Sequence, residues 1–153
     1  MIYHDIRVGG LTKIQILDEL KINKIFLNSY AKLLFSSSKF ITSKKVKKIT
    51  LQAISVSELG FKQGANFKDL VLNANFRNLE LCSLEMASHF RLQFINQPNG
   101  PYLTVASKKI LKDELEPNGL YLRRYDNKLW LRGYRATTNH IWKPEDKFIF
   151  KKP

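Results

Sequence analysis

The sequence has few of the residues that build covalent or metal-held scaffolds. It contains one cysteine, Cys82, so an intramolecular disulfide is impossible and a zinc site built from cysteines is excluded. The three histidines, His4, His89 and His140, lie far apart and have no spacing typical of metal ligands. We therefore expect no metal and no cofactor.

Long apolar runs and the common catalytic motifs are also missing. No run approaches the roughly 20 apolar residues of a membrane helix, and residues 1–10 mix charged with apolar side chains, unlike a secretory signal. There is no P-loop, no dinucleotide-binding glycine motif, no zinc-protease motif and no serine-hydrolase motif. These absences predict a cytoplasmic protein without membrane association and favour a binding protein over an enzyme.

Acidic residues are scarce: 13 Asp and Glu stand against 26 Lys and Arg, giving a net charge of +13. The excess is spread over both halves of the chain, so no basic tail is attached to a neutral body. The densest lysine run gives a candidate phosphate-binding patch. The alternative is a solvated surface in a lysine-rich chain, since lysine greatly outnumbers arginine. The patch consists of Lys44, Lys45, Lys47 and Lys48.

Length and composition predict one compact domain over residues 1–153, with a helical part at about 10–38 and a mixed part at about 44–153. Thr12, Asn28, Asn66 and Ser83 are each expected to cap a helix. Alternating patterns predict strands at 46–56, 102–107, 120–125, 129–135 and 147–151. We therefore predict an α+β fold in which N-terminal short helices pack on a small antiparallel sheet with a C-terminal β-hairpin.

The predicted hairpin is the most informative local pattern. If its loop is the pair Asp126-Asn127, Arg123 lies opposite Trp130 and Tyr121 opposite Arg132, whereas a three-residue loop would mix the two faces. One face would then be aromatic and cationic, which suits base stacking and phosphate contact. The alternative is a self-contained ladder of arginines stacked on rings across the strands. This candidate face comprises Tyr121, Arg123, Tyr125, Lys128, Trp130, Arg132 and Tyr134.

Arg91 and Arg135 are further candidates for binding an anion. Arg91 lies in an apolar stretch and could join Arg135 in an anion site, or instead form an ion pair with Glu80 or Glu85. Glu80 and Glu85 form the one plausible carboxylate pair, although their spacing is unspecific for acid–base catalysis. Cys82 has no His–Asp partner nearby and is expected to be an inert core residue.

Several peptides are distinctive in combination. They are Gly-Leu-Thr-Lys at 10–13, Leu-Asn-Ser-Tyr-Ala at 27–31, Leu-Glu-Leu-Cys at 79–82 and Pro-Asn-Gly-Leu-Tyr-Leu-Arg at 117–123. With these, the chain resembles, from about residue 10 to 150, an uncharacterised family of small bacterial proteins, some of which carry an automatic helicase label. The resemblance implies a single bacterial domain without an established activity. The helicase label has no counterpart in this sequence, which lacks a P-loop.

These observations predict a non-enzymatic binding module. Its expected partner is nucleic acid or another polyanion such as an acidic protein, bound through the hairpin and Arg91. Two alternatives stay open: a small enzyme with an anion pocket, and a protein-docking or immunity-type protein.

Overall fold

The computed structural model describes residues 2–153, which form four α-helices and seven β-strands. The strands are β1 (Ile2–Val8), β2 (Phe26–Leu27), β3 (Lys47–Ser55), β4 (Leu103–Val105), β5 (Gly119–Tyr125), β6 (Lys128–Tyr134) and β7 (Lys147–Lys151). The helices are α1 (Lys13–Ile22), α2 (Ser29–Ser36), α3 (Phe67–Phe76) and α4 (Leu84–Gln93).

All four helices begin after the predicted capping residues. The side chains of Thr12, Asn28, Asn66 and Ser83 each accept a hydrogen bond from a backbone N–H of the first helical turn. Thr12 forms a capping box, in which Gln15 in turn accepts from the Thr12 N–H at 2.9 Å. Every helix has only eight to ten residues, so none of those in residues 2–153 is long enough to cross a bilayer.

The strands form one sheet in the order β1-β3-β7-β4-β5-β6-β2. The α+β class is confirmed, but the sheet is mixed: β4 runs parallel to β7, and β2 runs parallel to β6. Both parallel contacts join segments that are distant in sequence, which local alternation does not reveal. The finer arrangement, N-terminal helices on a small antiparallel sheet with a C-terminal hairpin, is not confirmed: β1 opens the described chain, and β7 follows the β5–β6 hairpin and lies inside the sheet.

One face of the sheet is covered along its length by three helices. Helices α1, α2 and α4 pack there against apolar side chains from all seven strands. The fully buried rings and aliphatic groups in this layer form the larger core of the protein. Its members include Ile16, Leu20, Leu34, Leu51, Phe90, Val105, Leu120, Leu122, Leu131 and Ile149.

The opposite face is covered over only part of its width. Helix α3 packs on β3 and β7 through Leu70 and Ala74. One row of cross-strand neighbours on this face runs Ile54, Phe148, Thr104, Tyr121, Arg132. The row is buried on β3, β7 and β4 and half-exposed on β5 and β6, which lie beyond the part of the sheet that α3 covers. The β5–β6 hairpin therefore keeps an open outer face.

Candidate functional site

The hairpin register is set by a two-residue turn. Asp126 and Asn127 have φ of 53° and 58°, and positive φ at both central residues is the feature of a type I′ turn. Arg123 therefore pairs with Trp130 and Tyr121 with Arg132, as predicted for the two-residue loop. The ladder of rings and cations thus lies on one face of the hairpin, and the leucines lie on the other.

The inner face of the hairpin is held against α2. A Cβ on Gly133 would come within 2.7 Å of the Tyr30 backbone, so only glycine permits this approach of strand and helix. The Asn28 side chain donates from Nδ2 to the Gly133 carbonyl at 2.9 Å and accepts from the Gly133 N–H at 2.8 Å. The residue that caps α2 therefore also fixes the position of β6.

The outer face, which we call the hairpin face, carries the seven residues predicted for it. Its arginines lie over aromatic rings: the Arg123 guanidinium carbon is 4.7 Å from the Tyr125 ring centre, and that of Arg132 is 5.0 Å from the Trp130 ring. Arg132 Nε also donates to the Tyr121 hydroxyl at 2.8 Å. These cation–π contacts join residues two positions apart on one strand, and they pre-orient the charged groups without neutralising them.

Two residues that were not predicted extend the hairpin face. Tyr102, just before β4, lies 5.3 Å from the Tyr121 ring and 5.2 Å from the Arg123 guanidinium. Phe26 of β2 pairs with Trp130 at a ring distance of 5.2 Å. Tyr102 was predicted only as the first residue of a strand at 102–107, with no indication of its neighbours. A two-residue strand such as β2 leaves no periodic signal in a sequence.

The rings of the hairpin face are accessible to a ligand. Tyr125 is 58% exposed and Tyr102 is 44% exposed, while Tyr121 and Trp130 are half-buried. No helix of residues 2–153 covers them, because α3 packs on the neighbouring half of the sheet. The indole Nε1 of Trp130 is buried and has no hydrogen-bond partner among the described residues.

The cations of the hairpin face have no acidic partner. Neither Arg123, Arg132 nor Lys128 forms a salt bridge with a carboxylate of residues 2–153. Arg123 donates from Nε to the Gly100 carbonyl at 3.0 Å, which uses one of its five N–H groups. The remaining donors can therefore bind an anionic ligand.

Arg91 does not belong to this surface, although the sequence suggested it. It is completely buried on the helix-covered side. Nη1 donates to Gln97 Oε1 at 2.6 Å and to the Trp130 carbonyl at 3.3 Å, and Nη2 donates to the Phe94 carbonyl. The expected ion pair is also absent, since these three acceptors are neutral. Burial and the nearby Arg124 charge lower the pKa of Arg91 to about 10, so it stays protonated at neutral pH.

The other predicted basic residues lie apart from the hairpin face. Arg135 follows β6, and its Nε donates to the Glu114 carbonyl at 2.7 Å. The lysine patch at 44–48 is exposed where β3 begins, beside edge strand β1. Strands β7 and β4 separate it from the hairpin. The sequence candidates therefore form two separate basic surfaces.

The carboxylates and the thiol do not meet in a catalytic arrangement. Glu80 forms a salt bridge with Lys151 at 2.8 Å. Glu85, in the first turn of α4, instead accepts a hydrogen bond from the Ser43 N–H at 2.7 Å. Burial raises the pKa of Cys82 to about 12, so its thiol is inert near neutral pH. No cluster of three or more metal-binding side chains occurs in residues 2–153.

The sequence and the structure were both compared with those of known proteins. No protein-family model matches the chain, and no curated protein and no solved structure gives a significant match.

Proposed function

We propose that this protein binds single-stranded nucleic acid through the hairpin face. The observation that carries the proposal is the alternation, on an open sheet face, of accessible rings with arginines that lack acidic partners. Rings stack on unpaired bases, and arginines contact the phosphates between them. The net charge of +13 supports attraction to any polyanion.

A single strand suits this surface better than a duplex. Bases in a duplex are already stacked on each other, so their faces are not available to Tyr121, Tyr125 or Trp130. The hairpin face is part of a sheet and offers no protruding helix to enter a groove. Sheet faces with exposed rings are a recurrent platform for unpaired bases.

We also propose that the protein acts in the cytoplasm. Its single cysteine is free and buried, which fits a reducing compartment.

The direct test is a titration of labelled single-stranded and duplex oligonucleotides at several salt concentrations, followed by fluorescence anisotropy. We expect single strands to bind more tightly than duplexes. For single strands, the slope of log K against log salt should be about −0.7 for each phosphate contacted. Removal of one ring by Tyr125→Ala should weaken binding roughly 5- to 150-fold, because each base–ring stack contributes about 1–3 kcal/mol.

A charge-matched pair separates a specific contact from net charge. Arg132→Gln should weaken binding and lower the salt slope. The control variant Arg77→Gln removes one charge from an exposed arginine at the end of α3, so it should cause only the small loss of affinity that follows from the lower net charge. If both variants lose affinity equally, or if no single strand binds at low salt, the hairpin face is not a nucleic-acid site.

A further inference from the structure

A cleft adjoins the hairpin face at the end of β6. It has a volume of about 640 Å³ and lies between the first turn of α3, the segment 107–109 after β4, and the loop 136–142. This volume is within the range of small-molecule sites. Tyr134 lines the cleft and also belongs to the hairpin face, so the two surfaces are continuous.

The walls of the cleft are cationic. Lys68, Lys108 and Lys109 line it, and no Asp or Glu does. Lys109 Nζ donates to the Asp113 carbonyl at 2.8 Å, whereas Lys68 and Lys108 are exposed and form no salt bridge with a carboxylate of residues 2–153. Three cations without a counter-charge favour an anionic ligand.

A ring held in place forms one side of the same cleft. The Trp142 N–H donates to the Ala65 carbonyl at 2.8 Å, and its own carbonyl accepts from the Ala65 N–H at 3.2 Å. The indole also packs edge-to-face with Phe148 and with Tyr134, at centre distances of 5.0 and 5.6 Å. The His140 ring lies at a similar angle, 4.7 Å from the indole centre. A ring so constrained is already in position at the cleft wall, so a ligand meets it at little entropic cost.

Neutral polar groups complete the lining. Burial raises the pKa of Tyr134 above its ordinary value, so its hydroxyl stays uncharged and does not repel an anion. The Ser107 hydroxyl, on a residue 4% exposed, has no hydrogen-bond partner among the described residues. The Asn118 Oδ1 accepts from the Ala136 N–H at 2.8 Å, which fixes the amide at the cleft wall.

We propose that this cleft binds a nucleotide, with its phosphate at Lys68 and Lys108 and its base beside Trp142. A nucleotide combines the two features that the lining selects for, a negative charge and a flat ring. Its source is either a free mononucleotide or the terminal nucleotide of a strand on the hairpin face. The proposal does not depend on Arg123, Arg132 or Tyr125, so it stands or falls separately from the proposed function.

The test uses the full chain and begins with AMP, adenosine and inorganic phosphate as probes in isothermal titration. We expect AMP to bind at least tenfold more tightly than adenosine or phosphate alone, because only AMP engages both the lysines and the ring. In the Trp130→Phe variant Trp142 is the single tryptophan, so a fluorescence change on adding AMP reports directly on the cleft.

A double variant gives the decisive comparison. Lys68→Ala with Lys108→Ala should weaken AMP binding at least tenfold, whereas the charge-matched control Lys21→Ala with Lys32→Ala, on exposed turns of α1 and α2, should leave it unchanged. All four lysines are exposed, so the fold should tolerate both pairs. An equal loss of AMP affinity in the two double variants would contradict the proposed site.

Oligonucleotides with and without a terminal phosphate distinguish the two sources. If the terminal phosphate tightens binding and the lysine double variant abolishes that gain, the cleft takes the end of a strand. If AMP alone binds, it takes a free nucleotide. If neither AMP nor a terminal phosphate responds to the lysine double variant, the inference is wrong, even where Tyr125→Ala shows that the hairpin face binds single strands.

Discussion

Two arginines that are neighbours in sequence show how the two sides of the hairpin differ. Arg123 lies on the open face, over the rings of Tyr102 and Tyr125. Arg124 lies on the other side, where Nε donates to the Gln97 carbonyl at 2.8 Å and Nη2 donates to the Ile95 carbonyl at 2.7 Å. The same type of side chain therefore lies on the open face in one case and joins two chain segments by hydrogen bonds in the other.

The inner side forms a connected polar network. Gln97 accepts from Arg91 and donates to the Leu122 carbonyl at 3.0 Å, so the loop after α4 is joined to both the helix and the hairpin. Acceptors in this network are mainly backbone carbonyls, which need a donor when they are buried. The outer side contains stacked rings and cations with spare donors. The comparison indicates that the inner arginines stabilise the fold and the outer arginines are available for binding.

The largest expected effect is on the inner side. Arg91→Leu should lower the free energy of unfolding by about 3 kcal/mol, because it leaves Gln97 and two carbonyls buried without a donor. Urea denaturation measures this loss. Arg91→Lys should recover part of it. An Arg91→Leu variant as stable as the original chain would mean that the network is not needed for stability.

The adjacent arginines allow a double dissociation. Arg124→Ala should lower stability by about 1 kcal/mol, since two hydrogen bonds of a half-exposed group are lost, and should leave affinity for single strands nearly unchanged. Arg123→Ala should do the opposite, with a stability change under about 0.5 kcal/mol and a clear loss of affinity. Melting curves and anisotropy titrations on the same two variants decide whether the two sides are separate in function.

The smallest expected effect is a pH dependence of stability, which arises where α4 meets the end of β1. His89 Nε2 accepts from the Gly9 N–H at 3.3 Å, and burial lowers its pKa, an effect that the Glu85 carboxylate partly offsets. The unfolded chain then binds a proton more readily than the folded one. Stability should therefore be full above about pH 6.5 and fall as the pH drops below that value.

Denaturation midpoints between pH 5 and 8 measure this effect. Burial lowers the pKa of His4 as well, so the single variants His89→Gln and His4→Gln are both required. Each should flatten the profile in part, with His89→Gln keeping an acceptor for the Gly9 N–H. A profile that is identical in the original chain and in His89→Gln would exclude His89 as a source.

Several parts of the fold followed directly from local chemistry. The four helix caps and strand β7 were predicted, and so was the face of each hairpin residue for the case of a two-residue loop, because a capping side chain acts within three residues and alternation within two. The turn at Asp126-Asn127 set the register by the same local rule. Strand β1 was missed, because its mixed residues at an edge leave only part of the alternation visible.

The candidate site was predictable only in part. The seven residues of the hairpin face share one side of two adjacent strands, so their grouping depended on local alternation and on the length of the turn. Arg91 was assigned to the wrong surface, because a buried arginine bonded to carbonyls has the same sequence pattern as an exposed one. The lysine cleft was not predicted, since its lining comes from α3, the end of β4 and the loop before β7.

The sequence by itself determined the helix starts and, for a two-residue turn, the division of the hairpin into an apolar and a cationic aromatic side, because each depends on residues a few positions apart. The choice of that turn over a three-residue loop came from the structure. Only the tertiary structure decided that β4 and β2 join the sheet in parallel, that α3 covers half of one face and leaves the hairpin open, and that Arg91 is buried. These features depend on contacts between distant segments, where burial and hydrogen bonding over the whole chain select one arrangement among many with the same local pattern.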